Sequence, residues 1–260
     1  MTKNLFIIAA ASLVLSLACL GGAAALGGRA LAENNWTWVI TDTQDGPSDN
    51  VSFQRGDLGP EVTRNLEWTG GNSLTVDFSA DVTYVQGDTP GVVITGPQKA
   101  ADRVRLVDGR LTLRDSDDRA ERVLIEFGPQ GIRGWSESER LKITVTAPNV
   151  DSFRMAGSGD LTVERYDRPT ISVMIDGSGD VKVDGKAGKL ELRINGSGDA
   201  ELEGLEVADA NLDIAGSGDA SVGPTGEAVV SIAGSGDVIF TRRPKNVQQN
   251  VNGSGDVSGL

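Results

Sequence analysis

Six copies of the tetrapeptide Gly-Ser-Gly-Asp hold the residues of this sequence best placed to do chemistry together. They begin at Gly157, Gly177, Gly196, Gly216, Gly234 and Gly253, at intervals of 20, 19, 20, 18 and 19 residues. The period sets Asp160, Asp180, Asp199, Asp219, Asp237 and Asp256 in a series. If the copies stack at the strand spacing of ~4.8 Å, adjacent carboxylates repel by roughly 0.9 kcal/mol at ε ≈ 80 and about 3.5 kcal/mol at an effective ε of 20. Such a file needs compensation, and two kinds are open. A row of cations could bridge it, as in calcium-binding nonapeptide β-rolls, whose GGxGxD motif is close in spelling. Alternatively, each carboxylate accepts hydrogen bonds from backbone N–H groups of its corner, or from Ser158, Ser178, Ser197, Ser217, Ser235 and Ser254. A lone aspartate per turn supplies few of the 6–8 oxygens calcium takes, so structural turns without metal or cofactor are expected.

Other chemistries are narrowed by composition. Histidine is absent, which removes Ser-His-Asp and Cys-His catalysis and histidine metal sites. The single cysteine, Cys19, lies in an apolar N-terminal run, so the rest of the chain has no thiolate or disulfide. The glycine motifs lack the adjacent lysine of a phosphate loop and the spacing of a nucleophile elbow. Carboxylates remain. Parallel β-helices host polysaccharide lyases and hydrolases, so the alternative function is a carbohydrate-active enzyme using acids such as Glu191, Asp213, Glu201 and Glu203. A solvated polar face accounts for these positions equally simply and is the expectation.

The elements that must position the aspartates follow from the residues around each motif. Four residues before each copy stand Phe153, Val173, Leu192, Leu212, Val230 and Gln249; two before stand Met155, Ile175, Ile194, Ile214, Ile232 and Val251. Directly after each aspartate come Leu161, Val181, Ala200, Ala220, Val238 and Val257, and two further on Val163, Val183, Leu202, Val222, Phe240 and Gly259. The residues between are polar or small, so both flanks have period two and read as strands with one face inward. A fixed period near 20 means stacked units, each unable to bury its apolar face alone. The expected fold is all-β, a right-handed parallel β-solenoid (β-helix) with GSGD turns about every 19 residues. The turn glycines are Gly157, Gly159, Gly177, Gly179, Gly196, Gly198, Gly216, Gly218, Gly234, Gly236, Gly253 and Gly255, all expected to serve positive φ and crowded corners. Gln249 and Gly259 make the last copy a polar terminal turn.

Upstream, alternation continues over 74–85, 91–96, 104–114, 122–127 and 141–147, with Asp108-Gly109 marking a hairpin turn. Residues 128–139 read as a long loop that could present Trp135 as a surface contact. Residues 33–72, less regular, read as an N-terminal capping segment, and 73–260 as the solenoid domain.

Residues 1–32 read as a signal peptide. Lys3 precedes an uncharged run from Leu5 to Leu26, and Ala30-Leu31-Ala32 fits a small-x-small cleavage site. Cleavage after Ala32 is expected, with retention as an anchor the alternative and membrane contact confined to that case. Export then places the protein in the periplasm or at the cell surface. A product beginning at Glu33 loses Lys3 and Arg29 and no acidic residue, moving the net charge from −13 to −15. That balance repels phosphate backbones and anionic lipid surfaces, so nucleic acid is not an expected partner.

From about Ser73 to Leu260 the chain resembles a bacterial family described as the putative autotransporter adhesin head domain, also called the GIN domain or DUF2807. The features that carry the resemblance are VVITG at Val92–Gly96, DGRLTLR at Asp108–Arg114, LKITVTAPNVDSFRMAGSGDLTV at Leu141–Val163, and the GSGD turns that follow. It implies an exported β-solenoid acting as an adhesin-like or structural binding module for a glycan, protein or envelope component. Only four residues follow Asp256, so a self-translocating C-terminal barrel is not expected.

Overall fold

A computed structural model describes residues 36–43, 50–55, 59–114, 123–128 and 131–259. The expected signal segment, with Cys19 and Ala32, lies outside them. The chain is nearly all strand, 66% against 4% helix, so sheet alone must enclose the core. Two compact units divide it, one within Met1–Asp57 and Arg119–Trp135, the other within Leu58–Asp118 and Ser136–Leu260.

In the first unit, strands β1 (Trp36–Thr43), β2 (Asn50–Arg55), β9 (Val123–Gly128) and β10 (Gly131–Ser136) form a sheet in the order β10-β9-β1-β2. β1 pairs antiparallel with β2 and with β9. Trp135 therefore stands in an edge strand, and the loop expected over 128–139 is instead β10 followed by a 3-10 turn at Glu137–Arg140. Glycine weakens a strand without forbidding one, so Gly131 and Gly134 are carried within β10. β3 (Glu61–Leu66) pairs antiparallel with β6 (Gly91–Pro97) in the second unit, and residues 119–135 go with the first.

The second unit is a β-solenoid of about five turns. Its repeating rungs run through β12 (Ser152–Met155), β13 (Leu161–Gly177), β14 (Val181–Gly196), β15 (Ala200–Gly216), β16 (Ala220–Pro224), β17 (Glu227–Gly234), β18 (Val238–Phe240), β19 (Asn246–Gly253) and β20 (Val257–Ser258). Each stretch pairs parallel with its equivalent one rung on: Leu161 with Val181, Val181 with Ala200, Ala200 with Ala220, Ala220 with Val238, Val238 with Val257. The apolar columns therefore stack. Met155, Ile175, Ile194, Ile214 and Ile232 are each fully buried, and so are Val163, Val183, Leu202 and Val222. Burying such a side chain is worth about 1.5–3 kcal/mol, so one misplaced rung forfeits several contacts at once. The last rung is mostly polar, Gln249 is exposed, and Val251 and Val257 are half-buried.

The irregular repeat length has a local cause. After the post-corner strand the chain bends onto a third side, and this bend takes up the difference. Glu164 and Arg165 fill it in one rung, Asp184 alone in the next, then Glu203 and Gly204, matching intervals of 20, 19 and 20. In the 18-residue copy Pro224 pairs directly with Val207, so Gly223 alone stands against residues 203–206 and three positions are skipped, of which one is restored by residues 225–227 standing against Ala208 and Asp209.

The stack starts before the first GSGD. β4 (Ser73–Val76) pairs parallel with β12, and β5 (Asp81–Gln86) with the start of β13. Between β4 and β5, Phe78-Ser79-Ala80-Asp81 occupies the corner, so the alternating stretch 74–85 is itself a rung with a disguised turn. Around this end lie β11 (Lys142–Ala147), parallel to β5 and antiparallel to β6, and the hairpin of β7 (Val104–Val107) and β8 (Arg110–Leu113), turned by Asp108 and Gly109 with φ of 49° and 79°. α1 (Gln98–Ala101) buries Ala100 and Ala101 against this end. Tyr84, Phe153 and Tyr166 pack edge to face, with centroids 5.0 and 6.0 Å apart, and the Tyr84 hydroxyl donates to the Ala147 carbonyl at 2.7 Å.

Candidate functional site

The corner glycines divide into two kinds. The first of each pair stands at positive φ from the second copy onward, +147° at Gly196, a conformation other residues rarely adopt. The second has ordinary φ; a β-carbon on Gly198 would run into the carbonyl oxygen of Gly179 in the rung before. Positive φ, expected of both, thus belongs to the first glycine, and close stacking of backbones accounts for the second.

The aspartate file has seven members, because Asp81 stands in register before Asp160: the Val82 N–H donates to the Asp160 carbonyl just as Leu161 N–H donates to that of Asp180. The donors to the carboxylates are the aspartates' own amides. Asp199 N–H donates to Asp180 Oδ1, Asp219 N–H to Asp199 Oδ1, Asp237 N–H to Asp219 Oδ1 and Asp256 N–H to Asp237 Oδ1, at 2.7–2.8 Å. Each charge is thereby tied to a backbone dipole of the next rung, a charge-assisted bond that offsets repulsion along the file. Asp160 feels the residue of that repulsion. Its pKa is raised, first by burial and then by the Asp81 and Asp180 carboxylates, against the lowering effect of a hydrogen bond from the Asp180 amide. Among the described residues no group of three or more histidine, cysteine, aspartate or glutamate side chains converges as metal ligands.

The four acids considered for catalysis are not gathered. Glu191 and Asp213 lie on the outer face of the pre-corner sheet, in a shallow depression of about 390 Å³ with Ser172, Arg193, Asn211 and Ser231. Glu191 is paired with Lys189 at 2.8 Å and Asp213 with Arg193 at 3.2 Å. Glu201 is on the post-corner sheet, paired with Lys182 at 3.4 Å, and Glu203 is at the next bend. Exposed pairs of this kind contribute little to stability.

A second depression, of about 370 Å³, was not legible as a site. It is lined by Asp81, Val82, Thr83, Lys142, Ile143, Thr144, Asp160 and Thr162, where β11, β5 and β13 run side by side. Two rows cross it: Lys142, Asp81 and Asp160 in one, Thr144, Thr83 and Thr162 in the other. The usable signal was the match of 74–84 to the rung template, with Leu74 and Val76 before the corner, Ser79 and Asp81 within it, and Val82 and Tyr84 after.

A parallel β-solenoid with a carboxylate-to-amide file along one edge and a polar, shallow flank defines a class of repeat scaffold. The chain belongs to the DUF2807 family, described as "Putative auto-transporter adhesin, head GIN domain", whose pattern matches residues 72–244. Its fold is similar to the crystal structure of a putative adhesin from Bacteroides fragilis NCTC 9343, at 19% identity and a TM-score of 0.57, covering 76% of this chain and 96% of that one. A putative lipid binding protein from Parabacteroides distasonis ATCC 8503 is 17% identical over 77% of this chain and 97% of its own, with a TM-score of 0.42. A putative adhesin from Parabacteroides merdae ATCC 43184 gives 19%, 77%, 97% and 0.42. No curated protein matches the chain.

Proposed function

We propose that the protein is an exported, non-catalytic binding module of the bacterial envelope or surface, adhesin-like in use, whose solenoid flank holds a glycan, protein or envelope component. Membership of an adhesin-described family carries this reading. The flank supports it, because the acids there are spread over separate sides and ion-paired with Lys189, Arg193 and Lys182 instead of converging in a deep cleft. Extended repeat faces suit binding, since they offer many equivalent positions to a long partner. Export rests on the leader-like residues 1–32, with cleavage after Ala32.

Two measurements test this. Residues 33–260 on a glycan array and in envelope pull-downs, with and without EDTA, should retain a specific component in both conditions; cleavage of a bound polysaccharide would overturn the non-catalytic reading. N-terminal sequencing of protein recovered from its native envelope should begin at Glu33, and recovery of the intact chain from the cytoplasm alone would overturn export.

A further inference from the structure

We infer that the depression between β11, β5 and β13 is a saccharide-binding site, taking a neutral, hydroxyl-rich glycan segment on Asp81, Lys142 and Asp160 and on the hydroxyls of Thr83, Thr144 and Thr162. This deepens the binding-module reading and rests on it.

The site is where the repeat is broken. Along the file every rung after Asp160 presents an aspartate, but beyond Asp81 the same row continues with Lys142, an ammonium set in register beside a carboxylate. Apart from Asp160, whose carboxylate takes the Asp180 amide, the polar groups here also differ from those elsewhere on the flank in what they touch. Asp180, Asp199, Asp219 and Asp237 each accept the next rung's amide, and Glu191, Glu201 and Asp213 hold cations. The carboxylate of Asp81, the ammonium of Lys142 and the three threonine hydroxyls make no hydrogen bond or ion pair with any described residue. They surround a hollow of about 370 Å³, room for a sugar ring and part of its neighbour, with donor and acceptor capacity unspent.

The chemistry of the lining selects the ligand by exclusion. An apolar ligand finds no floor, because Val82 and Ile143 beneath are 1% exposed. An anionic polymer meets two carboxylates on a chain of net charge −13, and a cation meets Lys142. A sugar hydroxyl both donates and accepts, so one ring can donate to Asp81 and Asp160 while accepting from Lys142. The threonines add hydroxyls with methyl groups beside them, and Val93, 41% exposed and next to Thr144 in the same row, extends that apolar margin under the C–H faces of a ring.

Calorimetric titration of the full chain with cellohexaose, xylohexaose and maltohexaose, and with spermidine and oligogalacturonate as charged probes, tests the assignment. At least one neutral hexasaccharide should bind; Asp81→Ala and Lys142→Met should each weaken it about tenfold or more, the loss of one charge-assisted hydrogen bond, with the circular dichroism spectrum of the folded sheet unchanged. Arg193→Ala, on the other face, should leave it unaltered. Hexasaccharide binding that survives both site variants but is lost in Arg193→Ala overturns this site and leaves the binding module standing. Binding of spermidine or oligogalacturonate alone, or of no hexasaccharide at millimolar concentration, also overturns it; cleavage of the saccharide would instead remove the non-catalytic reading.

Discussion

Asp160 stands between two carboxylates, and its raised pKa makes it a source of pH dependence. A carboxyl that holds its proton more tightly in the folded state than in the unfolded state favours folding below its unfolded value of about 3.9, and this contribution is lost as pH rises through the folded value. Asp160→Asn, which keeps an acceptor for the Asp180 amide, should therefore raise the melting temperature at pH 7, with the gain closing by about pH 3. An equal gain at both pH values would mean that charge is not the cause. At Asp199 the roles differ, since its Oδ1 accepts the Asp219 amide at 2.8 Å. Asp199→Asn should be mild and Asp199→Ala should cost about 1 kcal/mol in urea unfolding, because only the alanine removes the acceptor.

Within the elements, corner and column make separate demands. Gly198 is buried and its α-carbon faces the Gly179 carbonyl, so Gly198→Ala should cost more than about 2 kcal/mol through crowding alone. Gly216, at φ +143°, adds backbone strain to the same crowding and should be no more tolerant. Denaturant unfolding of both variants checks this; wild-type stability in either would remove the stacked corner as a constraint. In the column, Ile194→Ala opens space between Ile175 and Ile214 that rigid neighbouring rungs cannot close, and about 2–5 kcal/mol should be lost.

The solenoid as a whole is close to one-dimensional, each rung held by its two neighbours. Among the described residues the final rung pairs with only one, and its residues in β19 and β20 are exposed or half-buried. Amide exchange should therefore run fastest there and slowest in β14, which is paired along both sides. Uniform protection along the stack would require a single all-or-none unit. Since the file's carboxylates are held by amides, millimolar calcium or EDTA should leave the melting temperature unchanged; a reversible calcium-dependent rise would show cations binding the folded state.

Periodicity made the solenoid readable, because a side chain on a strand must point in or out, and six rungs repeated that choice at Ile175, Ile194, Ile214 and their equivalents. The repeat also placed the aspartates in a file. Only the tertiary structure decided what meets that file. The rung at Leu74–Tyr84 is parted from the next by residues 85–151, so no local spacing ties Asp81 to Asp160 or Lys142 to Asp81; the parallel pairing of β11, β5 and β13 does. The disguise of its corner has a steric reason. Phe78 and Ala80 replace the two glycines where no earlier GSGD corner lies beneath, so a side chain is allowed, whereas one rung later Gly157 and Gly159 must clear the carbonyls of Phe78 and Ala80. Glycine was legible wherever backbone stacked on backbone, and the chemistry of the flank was not, because it arises where the repeat stops.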